Sequence, residues 1–265
     1  MNIRMFPNRS NSVQSSHPSS ASFAASPVRL QKVAARKPKS TPGLPATSNA
    51  LSPSDRDLLL RRQALAYAQR GDYNTAIDLF DVLIDHTPTN ASYYNNRGLI
   101  HFQNGDIEAA LDDYDCALQL NPSLAKVYNN RANCYIALGD LESAIADYDT
   151  AIDLNPTNLH ALINQGITYR ELGLYELAIE NFEFALHLCN LLNSADLSKP
   201  NLEGHLYAER GRTRHLTGDW NCAIADYRRA LTKLPIVDPP LAYPSDRLRQ
   251  QVESWLDSLI SPLSA

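Results

Sequence analysis

Apolar residues recur along this chain at helical spacing, and the helical stretches themselves recur. Tyr94, Gly98, His101 and Phe102 share one face at i, i+4, i+7 and i+8, and Ala110, Leu111, Tyr114, Ala117 and Leu118 do the same a few residues on. Each is the pattern of a helix that buries one stripe. Gly105-Asp106 separates the two, a glycine suited to a left-handed C-cap followed by an aspartate suited to cap the next helix. Pro122 then prevents the second helix from continuing. The unit is therefore a pair of antiparallel helices, and it appears five times. Ala64, Gly98, Ala132, Gly166 and Gly211 are each followed twelve residues later by an alanine (Ala76, Ala110, Ala144, Ala178, Ala223). An aromatic comes four residues further (Phe80, Tyr114, Tyr148, Phe182, Tyr227). Four copies step by 34 residues, and the fifth follows after an extra 11. So long and regular a period predicts stacked helix pairs, an all-α array and not a closed globular core.

The edges of the array read differently. Residues 1–54 hold twelve serines, seven prolines, seven Lys/Arg and no Asp or Glu. Such a stretch has too little apolar surface to offset its ordering entropy, so a disordered basic tail is expected there. It is read as a leader or linker, as a transit peptide, or as a tether to an anionic surface. Ser54, before Leu58, Leu59 and Leu60, is the expected first N-cap. The solenoid is expected over 55–237, with an insertion at 193–203 treated as a surface loop. The fourth unit has Asn190 in place of proline, so its second helix is expected to run on through Leu191 and Leu192. Residues 238–265 read as a proline-rich linker and a last helix from about Ser245 to Ile260. Leu248, Val252, Trp255 or Leu256, and Leu259 form its apolar stripe, while Arg247, Arg249, Gln250, Glu253 and Asp257 are expected to face away. An open stack needs such a helix to cover its final apolar face.

Five copies also sample each site five times. The residue before the small Gly/Ala is Arg97, Arg131 and Arg210 in units two, three and five, and the residue before the aromatic is Asp113, Asp147 and Asp226. In unit four both turn neutral together, to Gln165 and Asn181; in unit one they are Gln63 and Leu79. Charges that appear and vanish as a pair predict contact between the two helices of each unit.

This combination of small residue, turn glycine, alanine, aromatic and proline resembles the tetratricopeptide repeat, with copies at 57–90, 91–124, 125–158, 159–192 and 204–237. The resemblance implies a right-handed α-solenoid in which the first helix of each pair lines a concave groove. It also implies which residues face that groove. The candidate binding residues are Asn95, Leu99, Phe102, Lys126, Asn129, Asn130, Asn133, His160, Asn164 and Arg170. Asparagine offers both donor and acceptor, so a row of them suits an extended peptide backbone; Asn96, Asn130 and Asn164 equally suit bonding within the stack. Some members of the family hold chaperone C-termini with a five-residue clamp. Arg61, Asn96 and Lys126 match it here, whereas Leu65 and Asn130 depart from it, which argues against that ligand. The Asn-Asn-Arg-Gly and Asp-Tyr-Asp style resembles repeats of photosynthetic bacteria and plastids, which implies a factor for assembling a larger complex.

Charge narrows the partner. Outside the tail the chain carries 17 basic and 29 acidic residues, an acidic array poorly suited to a phosphate backbone. A protein or peptide is the expected partner; a nucleic-acid-associated regulator tethered by the tail is the alternative. No phosphate-binding glycine loop, H-E-x-x-H or G-x-S-x-G is present, so no catalytic residue, metal or cofactor is expected. His160 and His205 occupy the same place in units four and five and read as binding surface. The four cysteines form no C-x-x-C pair and read as buried, reduced thiols. With no apolar run long enough to span a bilayer, the expected location is cytoplasmic, or plastid if the tail is a transit peptide.

Overall fold

A computed structural model describes residues 52–193, 202–234 and 244–260. The described residues hold helices and no strand. In chain order the helices are α1 (Pro53–Gln69), α2 (Tyr73–His86), α3 (Ala91–Asn104), α4 (Ile107–Leu120), α5 (Ala125–Leu138) and α6 (Leu141–Leu154). They continue as α7 (Leu159–Glu171), α8 (Tyr175–Asn193), α9 (Leu202–Leu216), α10 (Trp220–Lys233) and α11 (Pro244–Ile260). The expectations for the tail, most of the insertion and the proline-rich linker fall outside the described residues. The fold is the expected all-α solenoid of paired helices ending in an extra helix. As expected, α8 runs on past Asn190.

Local chemistry starts and stops these helices. Ser52, not Ser54, caps α1: its Oγ accepts from the Asp55 amide at 3.1 Å. Pro53 occupies the first turn, where its missing N–H costs nothing, so the cap falls on the residue before it. Asp72, Asp140 and Asp219 cap α2, α6 and α10 by accepting from the amide three residues on. Asp106 does not cap α4; its carboxylate instead accepts from Asn104 Nδ2 at 2.6 Å. Gly105 and Gly139 end α3 and α5 with φ of 88° and 78°, the left-handed region that costs glycine little.

Within each pair the small residue lets the aromatic close in. A Cβ on Gly98 would lie 2.9 Å from the Tyr114 ring, on Gly166 2.6 Å from Phe182, and on Gly211 2.9 Å from Tyr227. The five aromatics of this position are essentially inaccessible. They form the centre of successive apolar clusters, each worth about 1.5–3 kcal/mol per large side chain. The stack curves toward its odd-numbered helices. Residues of α3 approach α5 and those of α7 approach α9, whereas α2, α4, α6, α8 and α10 make no comparable approach to one another. The first helix of each pair therefore lies on the inner side.

The paired charges meet, and they do more than the sequence pattern implied. Arg97 Nε and Nη2 donate to the Asp113 carboxylate at 2.9 and 2.6 Å, while Nη1 donates to Asp81 of the preceding pair. Arg131 repeats this with Asp147 and Asp115. Gln165 accepts from Asn181 and donates to Asp149, a neutral version of the same joint. Arg210 grips Asp226, and Arg214 reaches both Asp226 and Glu183, so the joint is doubled across the insertion. These contacts run along the stack as a ladder that ties helix to helix and pair to pair.

At the far end, α11 lays Leu248, Val252, Trp255, Leu256 and Leu259 on α9 and α10. The Trp255 and Tyr227 rings are 5.8 Å apart, and the Arg212 guanidinium lies 5.0 Å from the Trp255 ring centre. Arg249 does not face away as expected. Its Nη1 donates to the carbonyls of Leu231 and Leu234 at 2.9 and 3.0 Å, satisfying acceptors that the end of α10 leaves unpaired. The four cysteines are free. Cys134 and Cys189 are buried as expected, and burial pushes the Cys134 thiol up to about 12. Cys116 is half-buried and Cys222 exposed, because Cys222 lies in the first turn of α10 on its solvent side. Among the described residues no helix is long and apolar enough to cross a membrane, and no group of His, Cys, Asp and Glu could hold a metal ion.

Candidate functional site

The inner helices present two polar clusters of different character. The first joins α3 and α5 through asparagine side chains. Asn130 Nδ2 donates to Asn95 Oδ1 at 3.1 Å. Two longer bonds of 3.5 Å, from Asn95 to Asn96 and from Asn129 to Asn130, extend it into a chain of four amides. Asn95, Asn96 and Asn130 are buried and Asn129 half-buried. Two atoms at the ends of this chain, Asn96 Nδ2 and Asn129 Oδ1, are buried without a hydrogen-bond partner. Buried amide atoms of this kind are costly. Asn129 therefore retains an acceptor that a bound group could satisfy if the side chain turned outward.

The second cluster floors a cavity. Asn133 Oδ1 accepts from the Tyr148 hydroxyl at 2.6 Å and from Asn164 Nδ2 at 3.2 Å. The Thr168 hydroxyl donates to the Asn164 carbonyl at 2.8 Å. Burial pushes the Tyr148 phenol well above its usual value, so it stays a donor. Above this floor, α3, α5 and α7 border an open hollow of about 300 Å³ walled by Phe102, Ile136, Ala137 and Ile167, with Glu171 at its edge. Three of the sequence candidates, Phe102, Asn133 and Asn164, thus meet in one place. Thr168 and Tyr148 join them unforeseen. Thr168 sits one turn after Asn164, a spacing that could have indicated it, whereas Tyr148 reads in sequence as a core aromatic.

The remaining candidates lie apart. Leu99 is half-buried on α3, while Lys126 and His160 are exposed near the starts of α5 and α7. Arg170 is engaged elsewhere: its Nη1 binds Glu209 of α9, and His205 Nε2 lies 3.3 Å from the other oxygen of that carboxylate. Burial pushes the Glu209 carboxyl up, but the His205 hydrogen bond and the Arg170 charge outweigh it and hold it below the usual range.

Family models of the tetratricopeptide repeat match residues 91–124, 125–158 and 147–180, and a model of the TPR repeat matches residues 64–105. The chain is a tetratricopeptide-repeat protein. Similar solved structures include TTC0263, a thermophilic TPR protein of Thermus thermophilus. It is 19% identical, with 76% of this chain and 98% of that one covered and a TM-score of 0.58. MamA is 18% identical, with 68% and 92% covered and a TM-score of 0.54. The first TPR of Spaghetti (RPAP3), bound to an HSP90 peptide, is 30% identical, with 45% and 98% covered and a TM-score of 0.44. No curated protein matches the chain. In this tetratricopeptide array, the positions that could form a carboxylate clamp are largely spent. Asn96 and Asn130 are buried in the amide chain and Leu65 packs on the core of the first repeat, leaving Arg61 and Lys126 exposed.

Proposed function

We propose that this protein is a non-catalytic adaptor that binds a polypeptide segment along the inner face of its repeats, in the service of assembling a larger complex. The reading is carried by one observation: the cavity over Asn133 and Asn164 is open and apolar-walled, and it lies on the side toward which the stack curves. Phe102 and Leu99 would supply apolar contact, with Asn129 and Lys126 as polar contacts at the next repeat. Asn95, Asn130 and Asn164 would act by holding neighbouring inner helices in register, and Arg170 by fixing α7 to α9. His160 would contribute at the outer rim. The acidic repeats disfavour a nucleic-acid partner.

The test is an affinity capture comparing the wild type with a Phe102→Ala, Lys126→Ala, Asn129→Ala triple variant whose helical circular dichroism is unchanged. Proteins bound by the wild type should be lost from the variant. Recovery of the same proteins by both would show that binding occurs elsewhere.

A further inference from the structure

The cavity between α3, α5 and α7 is unequal in its chemistry. Its polar floor is occupied with itself, since Asn133 Oδ1 already accepts two hydrogen bonds, from Tyr148 and Asn164. An amide oxygen has two lone pairs, so that atom has no further capacity for a ligand. The walls of Phe102, Ile136, Ala137 and Ile167 offer burial and little else. The single charged residue is Glu171, exposed at the mouth one turn beyond Ile167. Its neighbour Arg170 is turned away to Glu209. Among the described residues no cation pairs with Glu171.

We infer that the cavity receives one large apolar side chain of a partner segment, with a lysine or arginine of that segment one or two residues away pairing with Glu171. The inference rests on the binding reading above and names the partner's chemistry. Three considerations lead to it. An open, apolar-walled hollow of about 300 Å³ is far larger than a methyl group, so a small residue would leave it partly empty and forgo dispersion contacts. A segment lying over the cavity removes water from the mouth, and a carboxylate that loses water without gaining a donor raises the cost of binding. Residues one turn apart on a helix have Cβ atoms about 5–6 Å apart, so an anchor beside Ile167 places the next one or two residues within a long basic side chain's reach of Glu171. An acidic neighbour would meet like charge, and such repulsion excludes wrong partners more strongly than an exposed ion pair attracts the right one.

The experiment selects a phage-displayed library of random heptapeptides on the full chain, in wild-type, Ala137→Trp and Glu171→Lys forms. Ala137 is exposed at the cavity, so tryptophan can fill the space without entering the core; thermal melts confirm folding. Wild-type selections should enrich a large apolar residue with Lys or Arg within two positions. A synthetic peptide of that sequence should bind Ala137→Trp about tenfold or more weakly, the scale of one lost apolar anchor. Glu171→Lys should instead enrich Asp or Glu beside the apolar residue. Binders that lose affinity for Ala137→Trp but carry no basic neighbour would overturn the inference while leaving the binding reading intact. Binders indifferent to both Ala137→Trp and Phe102→Ala, or a library that yields none, would overturn both.

Discussion

Arg97 and Asp113 are 16 residues apart and form a two-pronged ion pair, with the carboxylate nearly inaccessible and the third guanidinium nitrogen on Asp81 of the previous repeat. Arg131 and Asp147 reproduce it, and Gln165 with Asn181 replaces it without charge. This yields a sharp expectation. Arg131→Gln alone strands the largely buried Asp147 carboxylate and should cost about 3 kcal/mol, whereas Asp147→Asn leaves Arg131 its bond to Asp115 and should cost less. The Arg131→Gln, Asp147→Asn double variant copies repeat four and should cost much less than the two singles summed. Asp115, whose side chain is 52% exposed, should contribute under about 1 kcal/mol. Urea denaturation of the four proteins in the cycle checks this, and additive losses would contradict it.

Two tyrosines at the same repeat position should respond oppositely to loss of the hydroxyl. Tyr148 donates to Asn133, so Tyr148→Phe should destabilise by about 1 kcal/mol. The Tyr114 hydroxyl is buried with no partner, because its own repeat has Leu99 where repeat three has Asn133. Tyr114→Phe should therefore be neutral or stabilising. Thermal melts of the two variants, side by side, decide the matter.

Glycines divide into those needed for space and those needed for backbone shape. Gly166→Ala would set a methyl 2.6 Å from the fully buried Phe182 ring. Overpacking of about 1–3 kcal/mol should exceed the roughly 1 kcal/mol that alanine gains as a helix former. Gly139→Ala meets nothing within 4 Å, yet its left-handed backbone should still cost about 1–2 kcal/mol. Adding Phe182→Leu should soften the first substitution and leave the second unchanged. Stability measured on single and combined variants distinguishes the two causes.

Glu209 links stability to pH. Facing it are Arg170 from α7, His205 from its own helix, and Tyr227 from α10. Its folded carboxyl titrates below the usual glutamate value, so the folded state binds its proton less readily than the unfolded state. The resulting stability is fully present above the ordinary value of about 4.3 and disappears as pH falls through the lower folded value. Glu209→Gln should be less stable than the wild type at neutral pH, with the gap closing under acid. A gap that persists unchanged to pH 3 would remove Glu209 from the acid response.

How much of this was written in the sequence depended on repetition and on local rules. The helix pairs were legible because five copies exposed the same spacing. The Arg97–Asp113 contact was legible because Gln165 and Asn181 change together. Its other arm was not: Asp81 and Asp115 are exposed acids on a helix surface, indistinguishable in sequence from ordinary solvated charge. Arg249 was misplaced because a helical face considered alone omits the unpaired carbonyls at the end of α10. Of the candidate site, Phe102, Asn133 and Asn164 come together, since repeat positions map directly onto the inner face. The bonding of Asn95 to Asn130 depends on how far neighbouring helices approach, a distance that repeat spacing does not encode.

The ladder of arginines also bears on how such a chain can lengthen. Repeats two and three each present an arginine to the module before them and an acid to the module after. A duplicate of either could be spliced in beside its parent with every guanidinium and carboxylate still matched. Repeat four reaches back to Asp149 of the preceding module with Gln165, and repeat one carries Gln63 at the same repeat position. A copy of either, moved inward, would hand its predecessor an amide in place of a cation. Growth by duplication thus preserves paired charge at the middle of this array and yields only a neutral joint from repeats one and four.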